Sequence, residues 1–153
     1  MVAFTVIGRS EPSGSKSAYV RGGHANVVDA SPKSKPWKKL VKAQAREAMI
    51  GHELMTGALS VTFTFYRAFN VGDVLKDGSL STARLRNPYP TVRPDLLKLA
   101  RSIEDAMTGV VYADDSQIVD EFLHKRYPTS HNFKRADRGS VARVIVAVRE
   151  LQH

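Results

Sequence analysis

The sequence predicts an α+β domain in which one mixed sheet carries two main helices, and three observations lead there. ALSVTFTFYRAF (58–69) alternates Val61, Phe63 and Phe65 with Thr62, Thr64 and Tyr66, the two-residue period of a strand with distinct faces. Two segments, after Ser34 and after Pro94, carry apolar residues at helical spacing. The end, SVARVIVAVREL (140–151), is rich in β-branched residues and fits a largely buried strand.

In chain order, AFTVIG (3–8) reads as a first strand, and the Gly, Ser and Pro-rich stretch 8–26 as turns or a mobile hairpin. Its SGSKS is not a Walker loop, which needs Gly, Lys and Ser or Thr adjacent with a helix following. Here Ser15 separates Gly14 from Lys16 and the β-prone AYV comes next. From Ser34 a helix is expected: Pro36 suits its first turn, Trp37, Leu40, Val41, Ala45, Ala48 and Met49 share a face, and Gly51 is a stop. Lys38, Lys42 and Arg46 stripe another face, either solvated or touching nucleic acid. Residues 70–90 show little periodicity and carry the cations Lys76, Arg84 and Arg86. A loop this long is normally functional or disordered, so a mobile basic loop that orders on phosphates stands beside plain disorder. A second helix fits 94–108, stopped by Gly109, followed by VVY, the acidic turn ADD and a strand over about 117–127. The order β, α, β, α, β, β gives one domain over 1–153, with no internal repeat.

At 153 residues and 42% hydrophobic, the chain can bury a core without disulfides or metals. Lys and Arg number 23 against 15 Asp and Glu, a formal charge of +8 that favours a polyanionic partner, nucleic acid before an anionic membrane surface. No apolar run approaches the roughly 20 residues of a spanning helix, and MVAFTVIGRS lacks a signal-peptide pattern, so a cytoplasmic protein is expected. Zero cysteines exclude disulfides, cysteine-bound zinc and thiol nucleophiles. The five histidines are scattered, leaving oxygen ligands for any metal.

Within this cationic chain, VRPDLLKLARSIEDAMTGVVYADDSQIVD (92–120) gathers acids: Asp95, Glu104 with Asp105, and Asp114 with Asp115. At about 100° per residue, Leu96, Leu99, Ala100, Ile103 and Met107 share the core face of the second helix, with Lys98, Arg101, Glu104 and Asp105 opposite. Taken singly, Asp95 reads as a helix cap and Asp114 and Asp115 as turn formers. Taken together, adjacent like charges call for a cation. If the strand carrying Asp115 lies beside the start of the second helix, three carboxylates converge as hard ligands suited to Mg²⁺ or Mn²⁺. A metal so held on a basic surface serves phosphodiester hydrolysis.

The segments RPDLLKLAR, EDAMTG and DDSQIV resemble the central motif of the RusA-like Holliday-junction resolvases, small endodeoxyribonucleases of recombination and repair often carried by bacteriophages and prophages. FTVIGRSEP, the helix near Trp37, VTFTFY, NPYPTVRPD and the β-rich end extend the likeness over most of the chain. The resemblance implies a RusA-like homodimer that binds four-way or other branched DNA and makes paired symmetric nicks with Mg²⁺ held by aspartates. A two-fold dimer suits two equivalent cleavage positions. Carried over by position, Asp95 and Asp115 are the principal metal ligands, Asp114 supports them, Arg101 is the basic residue at the scissile phosphate, and Asp105 matches the Asp-Ala-Leu position.

The departure is Leu97, which stands at the family's second catalytic Asp, with Lys98 at the following Asn. Glu104, seven residues on, lies within about 20° of Leu97 on the helix surface and roughly 10 Å further along it. Glu104, or failing that Asp105, is therefore expected to supply the missing carboxylate. Arg93, Lys98, Arg101, Lys76, Arg84, Arg86, Lys125, Lys38 and Lys42 are the expected DNA-binding cations. Tyr66, Tyr89 and Tyr127 could stack on bases or belong to the core. The rival reading is a branched-DNA-binding protein on the same fold that has lost catalysis; an unrelated RNA- or protein-binding basic domain lacks any RNP-like motif.

Overall fold

A computed structural model describes residues 1–14, 16–29, 32–128 and 142–152. Its elements are β1 (Val2–Ile7), β2 (Lys16–Arg21), β3 (His24–Asp29), α1 (Ser34–Ala48), β4 (Leu59–Tyr66), α2 (Thr82–Arg86), α3 (Leu96–Met107), a 3₁₀ turn (Asp115–Gln117), β5 (Ile118–Arg126) and β6 (Arg143–Glu150). The α+β expectation holds, with a separate β2–β3 hairpin where turns or a hairpin were expected. Residues 140 and 141, at which the last strand was expected to begin, lie outside the described residues.

Four strands form one mixed sheet in the order β1-β6-β4-β5. β6 runs antiparallel to both β1 and β4, whereas β4 and β5 are parallel, from Leu59 opposite Ile118 to Tyr66 opposite Arg126. Parallel neighbours need a crossover, and here the 70–90 segment and α3 supply it. Leu59, Val61, Phe63 and Phe65 of β4 are fully buried, and Val144, Val146 and Val148 of β6 stand opposite Phe65, Phe63 and Val61. On this face pack Trp37, Val41 and Ala45 of α1 and Leu99, Ile103, Ala106 and Met107 of α3, forming one core. Leu40, expected in the α1 core face, is 42% exposed because it lies at the edge of that stripe.

Residues 70–90 have a built structure. Phe69 stacks on Tyr127 at 5.3 Å between centroids, and Val74 and Leu80 close a small second cluster beside them. Ser81 caps α2 by accepting from the Arg84 amide. Among the described residues no helix is long and apolar enough to cross a membrane.

Candidate functional site on helix α3

Helix α3 has a different chemical environment at each end. Asp95 occupies its N-cap position with extended backbone, yet its side chain makes no capping hydrogen bond. The capping reading of Asp95 therefore fails. Its carboxylate, largely exposed, stands 3.8 Å from Lys98 Nζ. It also lines a cleft of about 400 Å³ whose other walls include Arg9, Arg67 and Arg93.

Near the other end, Glu104 does not project into solvent as the helical wheel implied. It is half-buried, because α3 packs against β5 and the alternation of that strand turns Glu121 towards the helix. Burial is the main reason its carboxyl rises to about 7; the hydrogen bond and like charge of Glu121 add to this, then the charge of Asp115, while Arg101 opposes them. The backbone beneath it is fixed. The Glu104 carbonyl accepts from the Thr108 amide at 3.0 Å, the Thr108 hydroxyl at 3.0 Å and the Tyr112 hydroxyl at 3.2 Å. Tyr112 is fully buried, and burial followed by the charge of Glu104 holds its hydroxyl in the protonated, donating form.

The acidic turn separates its two aspartates by role. Asp114 accepts from the Ser116 amide at 2.9 Å, and the Gln117 side chain accepts from the Asp114 amide, a capping box for the 3₁₀ turn. Hydrogen bonding from the Ser116 side chain, then from its amide, holds the Asp114 carboxyl below its ordinary range. Gln117 then donates to the carbonyls of Met55 at 3.1 Å and Gly57 at 3.0 Å, tying the turn to the segment that leads into β4. Asp115 is left exposed, and its charge acts on Glu104.

The expected convergence of Asp95 with Asp114 and Asp115 is not formed within the chain. It is the end of β5, not its beginning, that reaches the start of α3: Lys125 Nζ donates to the carbonyls of Val92 at 2.9 Å and Pro94 at 3.0 Å. Asp115, just before β5, acts through its charge on Glu104 instead, and Glu104 is nine residues and about 13 Å of helix away from Asp95. Among the described residues no three Asp, Glu or His side chains already close on a point that could hold a metal. Glu104, Glu121 and Asp115 are nonetheless oxygen donors of the kind a hard divalent cation takes.

Other sequence candidates are committed elsewhere. Asp105 accepts from Lys38 Nζ at 2.7 Å and from Ser13 Oγ at 3.1 Å, joining α3 to α1, so it replaces nothing at position 97. Arg84 lies over the Tyr127 ring at 4.1 Å, pairs with Asp73 at 3.2 Å and donates to the Asn87 carbonyl at 2.7 Å, which removes it from the DNA-facing cations. Tyr127 is thereby a packing residue, while exposed Tyr89 lies under the Arg126 guanidinium. Lys76, Arg86, Arg93 and Arg101 are exposed and Lys42 is half-buried. Leu97 is 71% exposed, so its side chain serves neither the core nor a ligand set. Sequence reading missed Glu121, Arg9 and Arg67. The alternation through Glu121, Leu123 and Lys125 carried the signal for the first, since Leu123 packs on the core.

The family model described as Endodeoxyribonuclease RusA matches residues 10–136. The chain is also 30% identical over 131 residues to the uncharacterized protein YqaN of Bacillus subtilis (strain 168), covering 82% of this chain and 87% of that protein.

Proposed function

From the premise that the chain belongs to the endodeoxyribonuclease RusA family, we propose that it is a divalent-metal-dependent nuclease that nicks Holliday junctions or related branched DNA. The observation that carries this reading is the raised carboxyl of Glu104, on the strip of α3 that begins at Leu97, which feels Glu121 of β5, the charge of Asp115 and the opposing charge of Arg101. The family activity supplies the reaction, phosphodiester hydrolysis. Glu104, Glu121 and Asp115 would hold the cation, Mg²⁺ first and Mn²⁺ as a substitute. Bound there, the cation would polarise the phosphoryl oxygen and ease ionisation of the attacking water.

The chain's own residues do the rest. Arg101 is placed to hold the phosphate against the acids. Glu104, whose carboxyl is pushed up to about 7 by burial and by Glu121, would be driven to its ionised form by the cation. Thr108 and Tyr112 fix its backbone, so the carboxyl is positioned before substrate arrives. On this reading the carboxylate absent at Leu97 is replaced by Glu104, with Glu121 as its partner. A homodimer would present two such groups to the two equivalent strands of a junction.

The test is a labelled four-way junction incubated with and without Mg²⁺, comparing wild type with Asp115→Asn and Glu121→Gln. Paired nicks that need Mg²⁺ and are lost in both variants support the nuclease. Tight junction binding without nicks in any of the three proteins favours the non-catalytic rival to which Leu97 points.

A further inference from the structure

Strand β5 meets helix α3 through two polar side chains, Glu121 and Lys125. Glu121 hydrogen-bonds Glu104. Lys125 Nζ donates to the carbonyls of Val92 and Pro94, on either side of Arg93. Both side chains share the face of β5 that Leu123 turns to the core, because alternate residues of a strand point the same way. Four strand residues separate them, about 13 Å at roughly 3.3 Å each. From Asp95 to Glu104 the helix rises about 13 Å as well. Strand and helix run in opposite directions here, so the two contacts match in spacing along both elements.

The two contacts differ in sign. Glu104 and Glu121 are acids that repel when ionised, so their contact cannot by itself hold the helix on the strand. The Lys125 ammonium is attracted by the two carbonyl dipoles it meets, and hydrogen bonds from a charged donor are the stronger kind. Lys125 therefore supplies the attraction that keeps the pair of elements in register.

The start of α3 has little else to fix it. Asp95 makes no capping hydrogen bond, and Val92 is 62% exposed. Among the described residues no main-chain hydrogen bond holds 92–94, so Lys125 is the hydrogen-bonded tie between this segment and the sheet. The side chain is half-buried. Burial, then the charge of Arg67, lowers its affinity for its proton, while Asp95 acts in the opposite sense. Of the three donors an ammonium carries, two are committed to the carbonyls, which sets Lys125 apart from the exposed cations expected on DNA.

We propose that Lys125 is a positioning residue and not a DNA contact: by tying Val92 and Pro94 to β5 it sets the register of α3 on that strand, and so holds Glu104 against Glu121. The proposal rests on the nuclease reading above. Without the tie, the uncapped start of α3 lifts from the sheet and the two acids part. The exposed cations Arg93 and Arg101 keep their charges, so DNA is still held while the reacting groups lose their alignment.

The experiment compares the full wild-type chain with Lys125→Met, which keeps the stem and loses the donors, and Lys125→Arg, which keeps charge and donors. Three quantities are measured: single-turnover nicking of a saturating four-way junction in Mg²⁺, junction affinity in Ca²⁺ between about 50 and 200 mM salt, and amide hydrogen exchange over 92–104 without DNA. Lys125→Met is expected to nick about 10–100-fold more slowly, with affinity within about twofold of wild type and an unchanged salt slope. Exchange over 92–104 should quicken about tenfold or more while the β4 and β6 amides keep their protection. Lys125→Arg should recover most of the rate and of the protection, which a general loss of stability would not explain. Lys125→Gln, polar at a half-exposed position, repeats the comparison if Lys125→Met folds poorly. A wild-type nicking rate in the folded variant, a salt slope lowered by about one, or unchanged exchange over 92–104 overturns the proposal. If wild type itself does not nick, the nuclease reading fails and exchange alone decides the register: quickened exchange over 92–104 upholds the tie, and unchanged exchange removes it.

Discussion

The carboxyl of Glu104 on α3 lies against that of Glu121 on β5, two acids brought into hydrogen-bonding contact by the packing of a helix on an edge strand. A fold dominated by cations has placed like charges where they repel, and the stability of the chain should record it.

Glu104 titrates near 7 in the folded chain against an ordinary value of 4.5. Raised in the fold, it contributes stability that is fully present below about 4.5 and is lost as pH climbs through about 7. Glu104→Gln removes the penalty, so the variant should melt higher than wild type at pH 8 and at nearly the same temperature at pH 4. The side chain is half-exposed, and solvent screening reduces the gain to about 1 kcal/mol, or about 2–4 °C in Tm. A thermal melt at the two pH values checks it; a lower melting temperature at pH 8 would contradict the repulsion.

The same repulsion makes a prediction for metal. Millimolar Mg²⁺ or Mn²⁺ at pH 8 should raise the melting temperature of wild type and leave Glu104→Gln/Glu121→Gln nearly unmoved, since a cation stabilises only the state that binds it. Nicking of a four-way junction by Glu121→Gln should fall at least about 100-fold while junction affinity holds, because a removed ligand abolishes the metal's contribution to the transition state. Chelation followed by readdition of metal separates this effect from misfolding.

Asp105 supplies a contrasting case. Its carboxylate is tied to Lys38 at 2.7 Å and to Ser13 at 3.1 Å, on the side of α3 that faces α1. Asp105→Asn should cost about 0.5–1 kcal/mol in a denaturant titration, the scale of a partly exposed ion pair, with nicking unchanged. A collapse of activity at full stability would move Asp105 into the site.

Much of this was legible in the sequence because periodicity governs it. The alternation of Val61, Phe63 and Phe65 located the central strand, and the spacing of Leu99, Ile103 and Met107 located the buried face of α3. The motif residues were found, but their partners were not. Which end of β5 meets which end of α3 depends on the crossover, and no local pattern encodes that; it keeps Asp95 apart from Asp115 and sets the charge of Asp115 within reach of Glu104. Asp114 and Arg84 show the complementary limit. Their charges suggested ligands for metal and DNA, while the nearest backbone amide and the Tyr127 ring claimed them for structure.

Arg84 gives a direct check on that limit. Arg84→Ala strips a partner from Asp73, which is 9% exposed, and uncovers the stacked face of Tyr127. A cost of about 2 kcal/mol is expected, below that of a fully buried pair because Asp73 keeps the Asn70 amide at 2.8 Å. The salt slope of junction binding should not change. A slope lowered by about one would return Arg84 to the DNA surface.

Gln117 links the turn chemistry to the reaction. Its amide nitrogen bridges the carbonyls of Met55 and Gly57 while its oxygen receives the Asp114 amide, so one side chain spans the acidic turn and the approach to β4. Gln117→Ala leaves two carbonyls and one amide without that partner and should cost about 1–2 kcal/mol. The larger effect is expected on turnover. Asp115 begins the turn that Gln117 ends, and a loosened turn no longer fixes the backbone from which its carboxylate acts on Glu104. Single-turnover nicking should therefore slow about tenfold or more at saturating DNA, with affinity for the junction in Ca²⁺ preserved. Gln117→Glu sharpens the test: it keeps the acceptor for the Asp114 amide and loses both donors, so a rate near that of Gln117→Ala would assign the effect to the tie to Met55 and Gly57.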